Sequence, residues 1–416
     1  MGLSGRRSVS VWAFTQDQTA PHPTESMRLA VACLALVAPV IAAQGVPEWR
    51  VDREPAIRVA ATGTDGAPVF GTATWATRLA NGEIALADGG DRTVRIIATD
   101  GRVLRSHGRE GRGPGEFASL GWIGGCGTDS LFAWDFVLAR MSVLLPETGH
   151  ARTWGNTEMR STTNPSCSRT AEFALGVRFR RTAESKPAVS ATSSIGGDYR
   201  VWVDTFDVQT YDADGNSKRD VPRAVRQESI VGRLPDGRFS GLARPLGLRT
   251  DFVFSGNDLA VAWTDSGRVF VYAMNAARGA EAVSEGRASR TFLVGRGDAR
   301  ATAAQYEAAV LEAMLDAPPN AREQFGAFAR SVPAPERLPA VQRMFADPAG
   351  LLWFVVSQPG ERETRLRAYR STGEAVASLT VPVAMLVFEV GDEHVLGRTE
   401  DAEGEQSVVL YRFTRR

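Results

Sequence analysis

The sequence predicts an all-β protein: a six-bladed β-propeller of four-stranded antiparallel blades, with a helical insertion between blades four and five. Three observations carry this. Short runs of strand character recur along the whole chain, separated by turn dipeptides such as Asn81-Gly82, Asp100-Gly101 and Asp214-Gly215. The runs group into units that repeat one order of turn, strand, strand and turn. Finally, 41 glycines and 21 prolines are distributed over 416 residues, a supply of turns that suits many short strands.

The N-terminal region stands apart. Residues 1–26 are polar and contain proline without an apolar period, and read as a start-site overcall or an unstructured extension. Residues 27–43 follow the order of a secretory signal peptide: Arg28, a short apolar run, then small residues, with cleavage expected near Ala42 to Gln44. Arg6-Arg7 lies too far upstream of that run for a twin-arginine signal. No other apolar segment reaches about 18 residues, so no stable membrane span is expected in the mature chain. The expected location is secreted or periplasmic. Export removes Cys33 and leaves Cys126 and Cys167 in an oxidising compartment. Both directly precede a first turn in neighbouring units, which predicts a disulfide between them.

Residues 47–416 carry the repeat. The first unit runs from Thr74 through Asn81-Gly82, Asp88, Val94 and Asp100-Gly101 to Arg105. Later units start at the turns Gly127-Asp129, Gly256-Asp258, Asp347-Gly350 and Gly391-Glu393, each followed by an apolar strand. The third unit has two possible registers, one with its first turn at Ser168–Ala171 and one at Gly196–Asp198. The first is preferred, because it gives the two cysteines equivalent places. The last unit has about three strands, and a strand near Ala56–Ala60 could complete it and close the ring.

The stretch from Asp88-Gly89-Gly90-Asp91-Arg92 to Asp100-Gly101, with the linker Gly108-Arg109-Glu110-Gly111-Arg112-Gly113-Pro114-Gly115-Glu116-Phe117, resembles an NHL-type blade. The chain is similar to the secreted bacterial six-bladed propellers grouped as TolB-like or NHL-like. Its ending, Gly397-Arg398-Thr399 through Tyr411-Arg412-Phe413, resembles that group's closing blade. The resemblance implies the fold. It leaves activity open, since members bind, scaffold or catalyse. Propeller lyases of the NHL kind use metal-binding histidines, and His107, His150 and His394 do not sit in matching contexts.

Charge excludes one class of partner. Lys+Arg and Asp+Glu are both 48, so the basic excess that nucleic acid demands is missing. Gly111-Arg112-Gly113-Pro114-Gly115 lacks the flanking strand and helix of a phosphate loop, and no metal-ligand spacing is found, so neither cofactor nor metal is expected. Asp212-Ala213-Asp214-Gly215-Asn216 reads as a turn and not a calcium loop. The pairs Asp88/Arg92, Asp135/Arg140 and Asp265/Arg268 recur across strand-to-strand connections, where an internal salt bridge or turn hydrogen bond is expected, and Asp88 and Asp135 also stand as ligand candidates. Arg178, Arg180 and Arg181 could meet an anionic ligand.

Parity ranks the two faces. Successive turns of an up-and-down blade alternate between faces, so Asn81-Gly82 and Asp100-Gly101 share one and the linker Gly108–Phe117 lies on the other. The long insertions, roughly Arg181–Gly197, Val221–Thr250 and Gly297–Pro339, are expected on that second face, where loops on a rigid scaffold carry function. Within 297–339, Thr302 to Gln305 forms a capping box, and Tyr306, Val310 and Met314 recur at helical spacing. The helical pair is either a lid over the channel mouth or a patch packed on the ring. Arg112 and Glu116 are the candidates on the linker. The expected function is a monomeric binding or interaction scaffold for a protein, peptide or glycan. The alternative is a propeller hydrolase or lyase with carboxylates and arginines at the channel mouth, with or without the assistance of a metal.

Overall fold

The computed structural model describes residues 46–415, apart from 128, 156–158, 160–162, 181–188, 194–196, 234–236, 238, 275–285 and 316–321. The expected extension (1–26) and signal peptide (27–43) lie outside the described residues.

The described residues form six antiparallel sheets. The first contains β3 (Ala73–Arg78), β4 (Ile84–Asp88), β5 (Thr93–Ile97) and β6 (Val103–His107), and the second β7 (Leu120–Gly124), β8 (Leu131–Asp135), β9 (Arg140–Leu145) and β10 (Gly149–Gly155). The third holds β11 (Ser166–Cys167), β12 (Phe173–Arg180), β13 (Val189–Ser193), β14 (Gly197–Tyr211), β15 (Ser217–Arg233) and β16 (Phe239–Ala243). The fourth is β17 (Thr250–Ser255), β18 (Asp258–Trp263), β19 (Arg268–Ala273) and β20 (Arg290–Leu293). The fifth is β21 (Arg343–Ala346), β22 (Leu352–Val355), β23 (Thr364–Tyr369) and β24 (Ala375–Val381). In the sixth, β25 (Leu386–Val390), β26 (His394–Glu400) and β27 (Gln406–Thr414) are joined by β1 (Arg50–Val51) and β2 (Ile57–Ala60).

The core explains why these sheets stay together. Each sheet buries both faces, and each interface is a separate apolar cluster. Val94 and Leu131 meet between the first and second sheets, and Phe132 and Phe173 between the second and third. Val208 packs with Phe252, Val271 with Phe354, and Leu366 with Val387 at the next three interfaces. Phe388 and Leu410 of the last sheet pack on Ile84 and Ile97 of the first. The succession is cyclic, which makes the fold a β-propeller. Closure is made by strand pairing: β2 pairs Ile57 with Leu410, so the N-terminal strand completes the C-terminal sheet, as the sequence predicted.

Two sheets depart from the expected four strands. The sixth takes both β1 and β2, and the third grows a second tier. The preferred register of the third unit holds, since Ser166 pairs with Ala174 across the turn at 168–172. The other candidate start falls inside the hairpin where β13 pairs with β14. β14 has 15 residues and β15 has 17, against the five or six of ordinary strands here. The portion of β14 from 197 to 204, beyond its pairing with β12, extends the sheet by about 25 Å at the usual strand rise.

The helical insertion is α1 (Ala303–Leu315) and α2 (Arg322–Arg330), between the fourth and fifth sheets. The capping box is present: Gln305 N–H donates to Thr302 Oγ1 at 3.2 Å, and Thr302 N–H donates to Gln305 Oε1 at 3.0 Å. Phe328 of α2 is buried among Tyr199, Val201, Ile230 and Val332, so the pair docks on the second tier of the third sheet. Tyr306 donates its hydroxyl to Ala329 O at 2.8 Å, joining α1 to α2, and burial pushes its pKa up to about 12.

The turns segregate as parity predicts, with one correction. The connections 79–83, 98–102, 168–172, 212–216 and 370–374 fall on one face. The linkers 108–119 and 294–342 and the second tier fall on the other. However, the connection between Ala273 of β19 and Arg290 of β20 is long and belongs to the short-turn face. The expectation that every long insertion shares one face is therefore too simple.

Candidate functional site

The first strand of each sheet is innermost, and together these strands line a central cavity of 1590 Å³. At its long-loop end a second pocket of 690 Å³ opens between the second tier, the helices and the ends of sheets four to six. Leu242 comes from β16, Leu246 from the loop after it, Val310 and Met314 from α1, and Phe325 from α2, giving one apolar wall. The helices are thus a side wall built on the ring. The two readings left open by the sequence each describe part of this: the pair is packed, and it borders the mouth.

The opposite wall is polar and rigidly tied. Gln342 donates Nε2 to Gln358 Oε1 at 2.7 Å, and Gln358 donates Nε2 to Pro339 O at 3.1 Å. Glu228 accepts from Arg244 Nη1 at 3.2 Å. Arg249 donates Nη2 to Gln342 O at 2.6 Å and lies 3.8 Å from Asp251. Arg343 reaches into the channel, its guanidinium 5.1 Å from the Trp75 ring centroid and 5.8 Å from that of Phe345, a cation–π arrangement. Gln227, Ala243, Arg249, Glu312, Arg343 and Leu386 line both cavities and so form the collar where they meet.

The candidates named from sequence sit elsewhere. Asp88 is fully buried; it accepts backbone N–H groups from Gly71 (2.9 Å), Thr72 (3.0 Å), Gly90 (3.0 Å) and Asp91 (3.2 Å), and Arg95 Nε at 3.0 Å. Asp135 repeats the device one sheet on, accepting from Ala118 (2.7 Å), Ser119 (3.1 Å), Val137 (2.9 Å) and Leu138 (2.8 Å). Each carboxylate ties the chain entering a first strand to the turn after the second. The expected Asp88/Arg92 partnership is replaced by Asp88/Arg95, while Arg92 donates Nε to Ala118 O at 3.0 Å. Arg140 likewise grips the linker through Arg112 O (2.9 Å) and Gly113 O (2.7 Å).

Arg112 is exposed, and neither it nor Glu116 lines either cavity. The linker instead lies over the outer strands of the second sheet, where a Cβ on Gly115 would meet His150 Cβ at 3.0 Å. Arg180 ends β12, and its side chain lies outside the described residues, as do Arg178 and all of Arg181. The 212–216 segment is a turn, with Asp212 accepting the N–H groups of Asp214 and Asn216, each at 2.9 Å. The disulfide is present: Cys126 and Cys167 are bonded, with Cα atoms 5.4 Å apart.

Glu116 offers a pH test. Gly113 N–H donates to it at 2.7 Å, and Arg109 donates at 2.8 and 2.9 Å; the first and then the second hold its carboxyl below the ordinary glutamate range. A depressed folded-state pKa adds stability that is fully present above the unfolded value of about 4.3 and is lost as pH falls through the folded value. Glu116→Gln is expected to lower the unfolding temperature at neutral pH, with the gap to the native chain closing in acid. A gap that persists unchanged at low pH would contradict this.

The collar residues were not singled out from sequence, although a signal existed. Arg249 and Asp251, two apart at the start of β17, and Arg343 at the start of β21 occupy the channel-facing register of first strands.

Fold and site together define a β-propeller with a small-molecule-sized pocket at its long-loop mouth. No protein-family model and no curated protein matches the chain. Solved structures similar to it include a member of the DUF4221 family from Bacteroides vulgatus, at 10% identity and TM-score 0.47, over 89% of this chain and 99% of that one. Virginiamycin B lyase from Staphylococcus aureus is similar at 10% identity and TM-score 0.37, over 89% and 100%. Regucalcin, a calcium-binding protein from Agrobacterium tumefaciens, is similar at 10% identity and TM-score 0.35, over 89% and 97%.

Proposed function

We propose that the protein is an exported six-bladed propeller of the TolB-like or NHL-like kind that binds a ligand at its long-loop mouth. The observation that carries this is the 690 Å³ pocket, within the range of about 300–1,000 Å³ typical of small-ligand sites. It combines an apolar wall with a few fixed polar groups, the composition that gives both affinity and orientation. A ligand of this size is a small molecule, or the end unit of a peptide or glycan. Export is supported by the disulfide, which persists in oxidising compartments. No described helix is long and apolar enough to cross a membrane.

Ala313 lines the pocket from the exposed side of α1, so Ala313→Trp fills it without disturbing the buried helix face. The native chain and this variant would each be incubated with the small-molecule fraction of a periplasmic extract, washed, and analysed by mass spectrometry. Compounds retained by the native chain and absent from the variant are the expected result. Identical retention by both would reject the mouth as the binding site.

A further inference from the structure

We infer that the pocket takes small amphipathic carboxylates: an apolar chain inserted along the helical wall, with one anionic group at the collar. This rests on the mouth being the binding site. The apolar half of the argument is the wall of Leu242, Leu246, Val310, Met314 and Phe325. The polar half is the pair Arg249 and Arg343, which come from adjacent sheets and face the same junction of the two cavities.

Their geometry suits a carboxylate. The Arg249 side chain is 45% exposed, so its fork of donors is open to the pocket while one Nη2 hydrogen is anchored on Gln342 O. The Arg343 guanidinium lies over the rings of Trp75 and Phe345, and its Nη1 donates to Val387 O at 3.4 Å. A guanidinium stacked on rings keeps its N–H donors in its own plane, the arrangement that bidentate carboxylate recognition uses. Of the acidic groups, Glu312 lines both cavities, Asp251 lines the channel, and Glu228, Glu361, Glu363 and Glu400 line the pocket away from the junction. Asp251 is engaged through Oδ2, which accepts Met344 N–H at 2.9 Å, and it lies beside Arg249. Glu312 projects from α1, is exposed, and lines the same junction as the two arginines. Glu312 is therefore the competitor that an incoming carboxylate must share the arginines with.

The test uses three probes of one length: octanoate, octanol and octylamine, titrated calorimetrically into the native chain and four variants. Octanoate is expected to bind about tenfold more tightly than octanol, the difference of one charge-assisted hydrogen bond. Arg249→Gln and Arg343→Gln should each remove about that factor for octanoate while leaving octanol unchanged, which also shows that the pocket remains folded. Glu312→Gln should tighten octanoate alone. Equal binding of octanoate and octanol, tightest binding of octylamine, or no binding of any probe would overturn the inference. Ala313→Trp separates the two levels of the account. If the probes bind without regard to charge and this variant blocks them all, the mouth is the site and the carboxylate assignment fails. If it blocks none of them, the mouth reading itself fails.

Discussion

Replacing Cys126 and Cys167 together by serine is expected to lower unfolding stability by about 3–4 kcal/mol, the chain-entropy value for a closed loop of this length. The sequence separation is 41 residues, and the bond joins the end of β11 to the turn after β7 on the short-turn face. The two turns are in close contact: a Cβ on Gly127, whose φ is +72°, would lie 2.3 Å from Arg169 O. Only glycine lets the backbones approach this far, so the disulfide locks a contact that local sequence already favours. Strong reductant should reproduce the loss in the native chain and add nothing in the double variant. Equal urea midpoints for the native chain under oxidising and reducing conditions would show that the bond constrains little. Its position on the face opposite the pocket predicts unchanged probe binding in the folded variant.

Asp88→Ala is expected to cost about 3–5 kcal/mol, the penalty for removing one partner of a buried ion pair. Arg95, whose side chain is 16% exposed, would lose its carboxylate, and four backbone N–H groups would lose their acceptor. Asp88→Asn should retain part of the stability, since one oxygen still accepts while the amide nitrogen opposes N–H donors. Thermal unfolding of the two variants with Asp135→Ala gives the comparison. If Asp88 held ligand and not structure, Asp88→Asn would unfold like the native chain and lose probe binding. The expected outcome is the reverse.

The repeat was legible because turns announce themselves. Asn81-Gly82, Asp100-Gly101 and Thr372-Gly373 place glycines at φ of +89°, +89° and +91°, values few other residues adopt, so each hairpin is written in a dipeptide. The closing strand was legible for a related reason: three strands at one end of the chain need a partner, and Ile57 to Ala60 supplies one. The second tier of the third sheet was not legible. β14 and β15 continue past the blade edge through an irregular pairing between Phe206 and Val208, where Pro222 of β15 shifts the register without ending the strand, so a residue that reads as a loop signal sits inside a long strand.

The site was read less well than the fold. Asp88 and Asp135 attract notice because aspartate is a chemical residue, yet their surroundings show aspartate chosen for the number of N–H groups it accepts. The linker charges Arg112 and Glu116 lie on the expected face but over the outer strands, because a linker runs from the last strand of one sheet to the first strand of the next. The collar arginines come from different sheets and meet only after closure. Arg249 and Arg343 are 94 positions apart, and nothing in either local sequence refers to the other.

A crystallographic fragment screen of the native chain tests the central claim most directly, since it requires no knowledge of the natural ligand. Fragments are expected to cluster in the mouth pocket between α1, the segment 242–249 and Arg343, with acidic fragments oriented toward the collar. Clustering at the short-turn end of the channel, or on the outer face of the linker around Arg112, would contradict the account.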